Sequence, residues 1–165
     1  MNGQVNRAQF LRGDFGGKNS PVRPPWALQE AQFVERCQRS GACLAACPEK
    51  ILEKGRGGFP QVNFALGACT FCGACVVACT HEAYRKDGEG KPEGAAWHLK
   101  ARIKESCLTF AQVVCRTCGE LCPEGVIRFP PMLGGVARPE VNVDGCTGCG
   151  ACIAPCPNGS IEMAG

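Results

Sequence analysis

The cysteines constrain this chain more than any other feature. They fall into four runs with none left over: Cys37-x5-Cys43-x3-Cys47, Cys69-x2-Cys72-x2-Cys75-x3-Cys79, Cys107-x7-Cys115-x2-Cys118-x3-Cys122 and Cys146-x2-Cys149-x2-Cys152-x3-Cys156. A proline follows the last cysteine of three runs (Pro48, Pro123, Pro157), and Thr80 takes that place in the second. C-x2-C-x2-C-x3-C-P is the bacterial spacing for [4Fe–4S] ligation. Three thiolates two residues apart wrap a tight loop round one cube, and the fourth points away to the neighbouring cluster. Gly73-Ala74 and Gly150-Ala151 keep the loop thin enough for backbone N–H groups to reach sulfur. The competing reading is zinc, which also uses C-x2-C pairs. Zinc, however, joins two distant doublets and needs only four ligands per site.

Composition says why such staples are needed. Cysteine supplies 15 of 165 residues, while Gly contributes 22, Pro 12 and aromatics 7%. A chain this poor in large apolar groups cannot offset its conformational entropy with a core alone. The formal charge of +3 is too small to point to nucleic acid or a membrane surface. No run of 18 apolar residues is present, and Met1 to Ser20 lacks the apolar stretch of a secretion signal. The expected setting is therefore cytoplasmic, where thiols serve metals rather than disulfides.

The chain is an approximate duplication. Cys69 and Cys146 lie 77 residues apart, as do Cys79 and Cys156; Cys43 and Cys118 lie 75 apart, as do Cys47 and Cys122. That second offset carries Ser40 onto Cys115. Ser40 thus stands in the second-ligand slot of the first run, Cys37-x2-Ser40-x2-Cys43. Its oxygen is harder than thiolate and keeps its proton. Three outcomes are open: ligation as an alkoxide, a water in its place, or loss of one iron. An ordinary loop serine beside a weak or absent cluster is the plainer alternative.

The expected fold is α+β, with two ferredoxin-like β-α-β lobes, loop-rich and with a small core. Residues 1–33 form an N-terminal arm containing Arg23-Pro24-Pro25-Trp26, 34–86 the first lobe, 87–94 a linker and 95–163 the second lobe. Ala27 to Arg36 has helical composition. Gln61 to Phe64 and Glu140 to Val143 alternate as strands do, and so do Trp97 to Lys104, with Lys100, Arg102 and Lys104 on a basic outer face. Trp26 is either an exposed aromatic or a lid on the nearest lobe. By the exchange rule, cluster one takes Cys37, Cys43, Cys79 and whatever Ser40 offers; cluster two takes Cys69, Cys72, Cys75 and Cys47. Cluster three takes Cys107, Cys115, Cys118 and Cys156; cluster four takes Cys146, Cys149, Cys152 and Cys122. No phosphate loop, dinucleotide fingerprint or nucleophile–base pair is visible, and His81 and His98 read as solvated. No enzymatic activity is expected.

The Arg-Pro-Pro-Trp arm, Gly57-Gly58-Phe59-Pro60 and the x7 gap between Cys107 and Cys115 together resemble the ferredoxin-type NapF proteins, from about Arg7 to Met163. The resemblance implies a cytoplasmic accessory protein with up to four [4Fe–4S] clusters, three if the Ser40 site fails. Its implied partner is the precursor of the periplasmic nitrate reductase catalytic subunit, acted on before export by the twin-arginine route. Cluster loading, cofactor maturation and redox poise are the implied roles. The Arg-Arg pair common near the N-terminus of that family is reduced here to Arg7. A soluble electron carrier, docking acidic redox partners through the basic strand face, is the alternative.

Overall fold

The computed structural model describes residues 21–165. Most of the expected arm, including Arg7, lies outside the described residues. Among the described residues, four short helices, α1 (Glu30–Arg36), α2 (Ala42–Ala46), α3 (Ala74–Val77) and α4 (Thr117–Glu120), accompany six short strands. The strands are β1 (Leu52–Lys54), β2 (Pro60–Val62), β3 (Lys100–Ile103), β4 (Ile127–Arg128), β5 (Glu140–Val141) and β6 (Ile161–Ala164). This is a small α+β protein.

The strands form three two-stranded antiparallel sheets, β1–β2, β3–β6 and β4–β5. Both parts of the duplication nest in the same way. An inner hairpin (Leu52 opposite Val62; Ile127 opposite Val141) is enclosed by an outer pairing of first and last segments. In the second part that outer pairing is Ala101 opposite Met163 within β3–β6; in the first it shrinks to the single bridge Ala27–Tyr84. Helices shorter than two turns do not stand alone in water. Here Cys43 on α2, Cys75 and Val76 on α3, and Cys118 on α4 are their buried residues.

Two clusters of buried residues result. One gathers Trp26, Phe33, Ile51, Leu52, Val62, Phe64, Val76, Ala83 and Tyr84 with Cys43, Cys47 and Cys75. The other holds Ala101, Val126, Ile127 and Ile161 with Cys118, Cys146 and Cys152. Trp26 and Phe33, read from sequence as part of an arm, are core residues of the first cluster. Trp26 is a lid and not an exposed aromatic. Its indole N–H donates to the Gly94 carbonyl at 2.8 Å, and its backbone takes the left-handed φ of 60°. The helix begins at Glu30 rather than Ala27, because Ala27 bridges Tyr84 and the Leu28 amide donates to Ala83.

Arg23 ties this segment down. Its guanidinium forks onto both Glu30 carboxylate oxygens at 2.7 Å, donates to the Pro60 carbonyl at 2.9 Å and lies over the rings of Phe33 and Phe59. Replacing it with Ala removes a charge-assisted fork and two cation–π contacts, about 1.5–3 kcal/mol for hydrogen bonds of this kind. Arg23→Lys keeps charge but loses the fork, and is expected to recover less than half the loss in melting temperature of the loaded protein. Full recovery by lysine would show that the planar fork contributes nothing.

Candidate iron–sulfur sites

Four cavities are walled by thiols. The first is lined by Cys37, Cys43 and Cys79 with Ser40, His81 and Tyr84; the second by Cys47, Cys69, Cys72 and Cys75 with Trp26. The third is lined by Cys107, Cys115, Cys118 and Cys156, and the fourth by Cys122, Cys146, Cys149 and Cys152. Each wall takes three positions from one run and a single cysteine from its partner run. Each cavity has about 300–360 Å³ of empty space, its open mouth included. Among the described residues all 15 cysteines are free thiols, and no three His, Cys, Asp or Glu side chains converge on a single-ion site.

The loops that carry the thiols are bent in one repeated way. Cys72 lies between Phe71 (φ 55°) and Gly73 (φ 73°), and Cys149 between Gly148 (φ 77°) and Gly150 (φ 83°). Left-handed backbone on both sides turns the peptide edges inward. Backbone N–H groups reach sulfur from Phe71 to Cys69 (3.3 Å), Ala101 to Cys146 (3.4 Å) and Ser160 to Cys156 (3.3 Å). Such donors favour thiolate over thiol. The third run departs from this pattern: its long gap forms a 3-10 turn, Leu108–Ala111, that buries Thr109 with its hydroxyl 3.4 Å from the Cys107 sulfur.

Burial works against the charge. Desolvation first, then neighbouring thiols, push Cys75 and Cys152 up to about 12 and Cys69 and Cys118 to about 11. Burial likewise raises Cys43. Soft thiols crowded together and taken out of water are costly as anions unless a cation or cluster offsets them. The donor set therefore fits an iron–sulfur group.

The cavities also adjoin one another in a row. Cys43 of the first cavity is close enough to raise Cys75 of the second, and Cys118 of the third to raise Cys152 of the fourth. Between the second and fourth, the Cys69 amide donates to the Cys149 carbonyl at 2.8 Å. The order along the molecule is first, second, fourth, third.

Comparison with known proteins decides the family. Residues 36–83 and 113–160 each match the 4Fe-4S dicluster domain. The chain is 44% identical to the ferredoxin-type protein NapF of Haemophilus influenzae, over 95% of this chain and 92% of the relative. Against NapF of Escherichia coli K12 the identity is 37%, over 95% and 93%. This chain belongs to the ferredoxin-type NapF family. A more distant relative, ferredoxin-type protein NapG of Escherichia coli K12, is 29% identical over 82% of the chain and 65% of its own length. Within this NapF-type chain, the second dicluster match begins at 113, after Cys107. The stretched front of the third run is thus outside the common domain pattern, although Cys107 stands in the wall of the third cavity.

Several neighbours of the thiols carry no local signal in sequence. His81, read as solvated, lines the first cavity, and its carbonyl accepts from the Cys79 thiol at 2.8 Å. Lys100, read as part of a free basic face, donates to the Cys146 carbonyl at 2.6 Å. Arg102 and Lys104 remain exposed, as does His98. Trp97 is missed altogether as a joint: its indole N–H donates to the Thr147 carbonyl at 3.1 Å, and its ring meets Phe64 and Phe71 edge-on, each at 5.8 Å.

Proposed function

We propose that the chain is a cytoplasmic iron–sulfur accessory protein of the periplasmic nitrate reductase system, carrying three to four [4Fe–4S] clusters in two ferredoxin-like lobes. The observation that supports this best is the shared wall, three positions from one run and one from its partner, in each of the four cavities. In this reading every cysteine is a ligand, grouped as the walls group them, and the two lobes are joined by the 87–94 segment. Bound clusters supply reversible single-electron uptake. The chain's part is to hold them by thiolate, orient them by paired left-handed turns, and keep water off with Trp26 and the buried cysteines. The protein acts as no enzyme itself and serves the catalytic subunit during maturation, before export.

The row of cavities favours electron relay as a second reading, with Arg102 and Lys104 available to an acidic partner. A strain lacking the gene separates the two. Maturation predicts nitrate reductase that is short of metal; relay predicts a fully loaded enzyme that is slow to be reduced. Full activity and full metal content would remove both. Among the described residues no helix is long and apolar enough to cross a membrane.

Raised thiol pKa values also set a pH response. Protons compete with iron for sulfurs whose pKa burial raises, so acid weakens the hold. Visible absorbance and bound iron are expected to fall together as an anaerobic sample is acidified from neutrality. Loss of iron on raising the pH to 9 instead would contradict the assignment.

A further inference from the structure

We propose that the Ser40 corner of the first cavity is an open coordination site, filled by a small thiolate from solution and not by the serine oxygen. This rests on the iron–sulfur reading above. The backbone says that position 40 is a ligand position. Ser40 lies between Arg39 (φ 56°) and Gly41 (φ 80°), the same paired bend that presents Cys72 and Cys149. Left-handed backbone is unfavourable for a residue with a side chain such as Arg. The strain is kept although the sulfur it would serve is gone. Like Cys72, Ser40 is exposed to solvent, so a molecule from solution can reach that corner.

The remaining wall says that the cavity is built to hold something. Tyr84 is buried at 5% exposure, and its hydroxyl lies against the Cys43 sulfur, where it can donate to a thiolate. Burial pushes its pKa upward, so it stays an O–H donor. A cluster bound through Cys43 would make that sulfur a thiolate, the acceptor this hydroxyl faces.

Chemistry then selects the ligand. Cys37, Cys43 and Cys79 supply three thiolates, leaving one iron without protein sulfur. Iron bound to sulfide prefers soft donors, and neutral serine is hard. A small monodentate thiolate is soft and can enter that exposed corner from solution. The bond formed is iron to sulfur, with water leaving and the thiol proton passing to solvent; no electron moves.

The test uses the full chain, loaded with iron and sulfide anaerobically and freed of excess thiol. Iron is counted. The reduced protein is then titrated with 2-mercaptoethanol, followed by EPR and by Mössbauer spectra of the iron. Wild type is expected to show a saturable change at one thiol per chain. Ser40→Ala and His81→Ala should titrate in the same way, whereas Ser40→Cys should lose the response and resemble thiol-saturated wild type from the start. A silent wild type with full iron would overturn the proposal. If wild type is silent and His81→Ala or Ser40→Ala gains the response, the corner belongs to that side chain and the proposal falls. Wild type lacking one cavity's iron that Ser40→Cys regains would overturn it too, while leaving the iron–sulfur reading intact. Only absence of iron from all four cavities would take down both.

Discussion

Chelating iron under argon is expected to unfold the second half of this protein first and the first half later. The two buried clusters differ in kind. Three of the seven buried residues of the second are cysteines, and the rest are Ala101, Val126, Ile127 and Ile161. Burying a Val or Ile side chain contributes about 1.5–3 kcal/mol, and Ala less. Ordering each residue costs about 1–2 kcal/mol of backbone entropy. Four aliphatic side chains, even with Ile103, Phe129, Val141, Ile153 and Met163 packed at the margin, cannot hold roughly 65 residues in place. The first half buries Phe33, Phe64, Trp26 and Tyr84, with Phe33 and Tyr84 edge-on at 5.8 Å. It is therefore expected to keep partial structure. Hydrogen exchange read by mass spectrometry after chelation should show β3, β4 and β6 losing protection while β1 and β2 retain some. Returning iron and sulfide should restore both halves. Unchanged protection throughout would mean that sulfur ligation contributes little to the fold.

That asymmetry bears on what a sequence of this kind makes legible. Alternation at Trp97 to Ile103 announces a strand with one buried face, and β3 occupies Lys100–Ile103 with Ala101 buried. It does not announce that Trp97 lies beyond the strand and clasps Thr147. Alternation names a face and leaves open what the face meets. Cysteine spacing says which positions of one run share a wall, because a tight loop leaves little conformational choice; the remaining thiol of each wall comes from the partner run. It says nothing of Tyr84, His81 or Trp26, which reach those walls from distant segments by long-range packing. The helix that composition extends back to Ala27 starts later because the Ala27–Tyr84 bridge, a contact across 57 residues, competes for the same backbone. Lys100 is similar: period 2 puts it outside, but its flexible stem carries the ammonium to a carbonyl beside the fourth cavity.

The joint between the halves gives the other large effect, and Gly150→Ala is expected to break it. Gly150 has φ 83°, and an added Cβ would land 2.5 Å from Cε1 of Phe64 and closer still to Cδ1. Phe64 cannot step aside freely. It is 7% exposed and lies edge-on to Trp97, which itself holds the Thr147 carbonyl. Backbone strain costs about 1–2 kcal/mol and overpacking about 1–3 more, so the loaded protein should lose about 2–5 kcal/mol of stability. Gly90→Ala separates the two terms: Gly90 has φ 79° with nothing near its Cβ position, so it carries the strain without the clash. If the clash is what matters, Phe64→Ala should cost less in the Gly150→Ala background than alone, a coupling readable as a double-mutant cycle. The functional consequence follows from position. The Cys69 amide and Cys149 carbonyl meet at this joint, which brings the second cavity against the fourth. Forcing Phe64 out should weaken the magnetic interaction between the two inner clusters in EPR of the reduced protein, while Gly90→Ala leaves it as in wild type. Additive costs together with an unchanged spectrum would place the contact between the halves elsewhere and leave the row of four without its middle link.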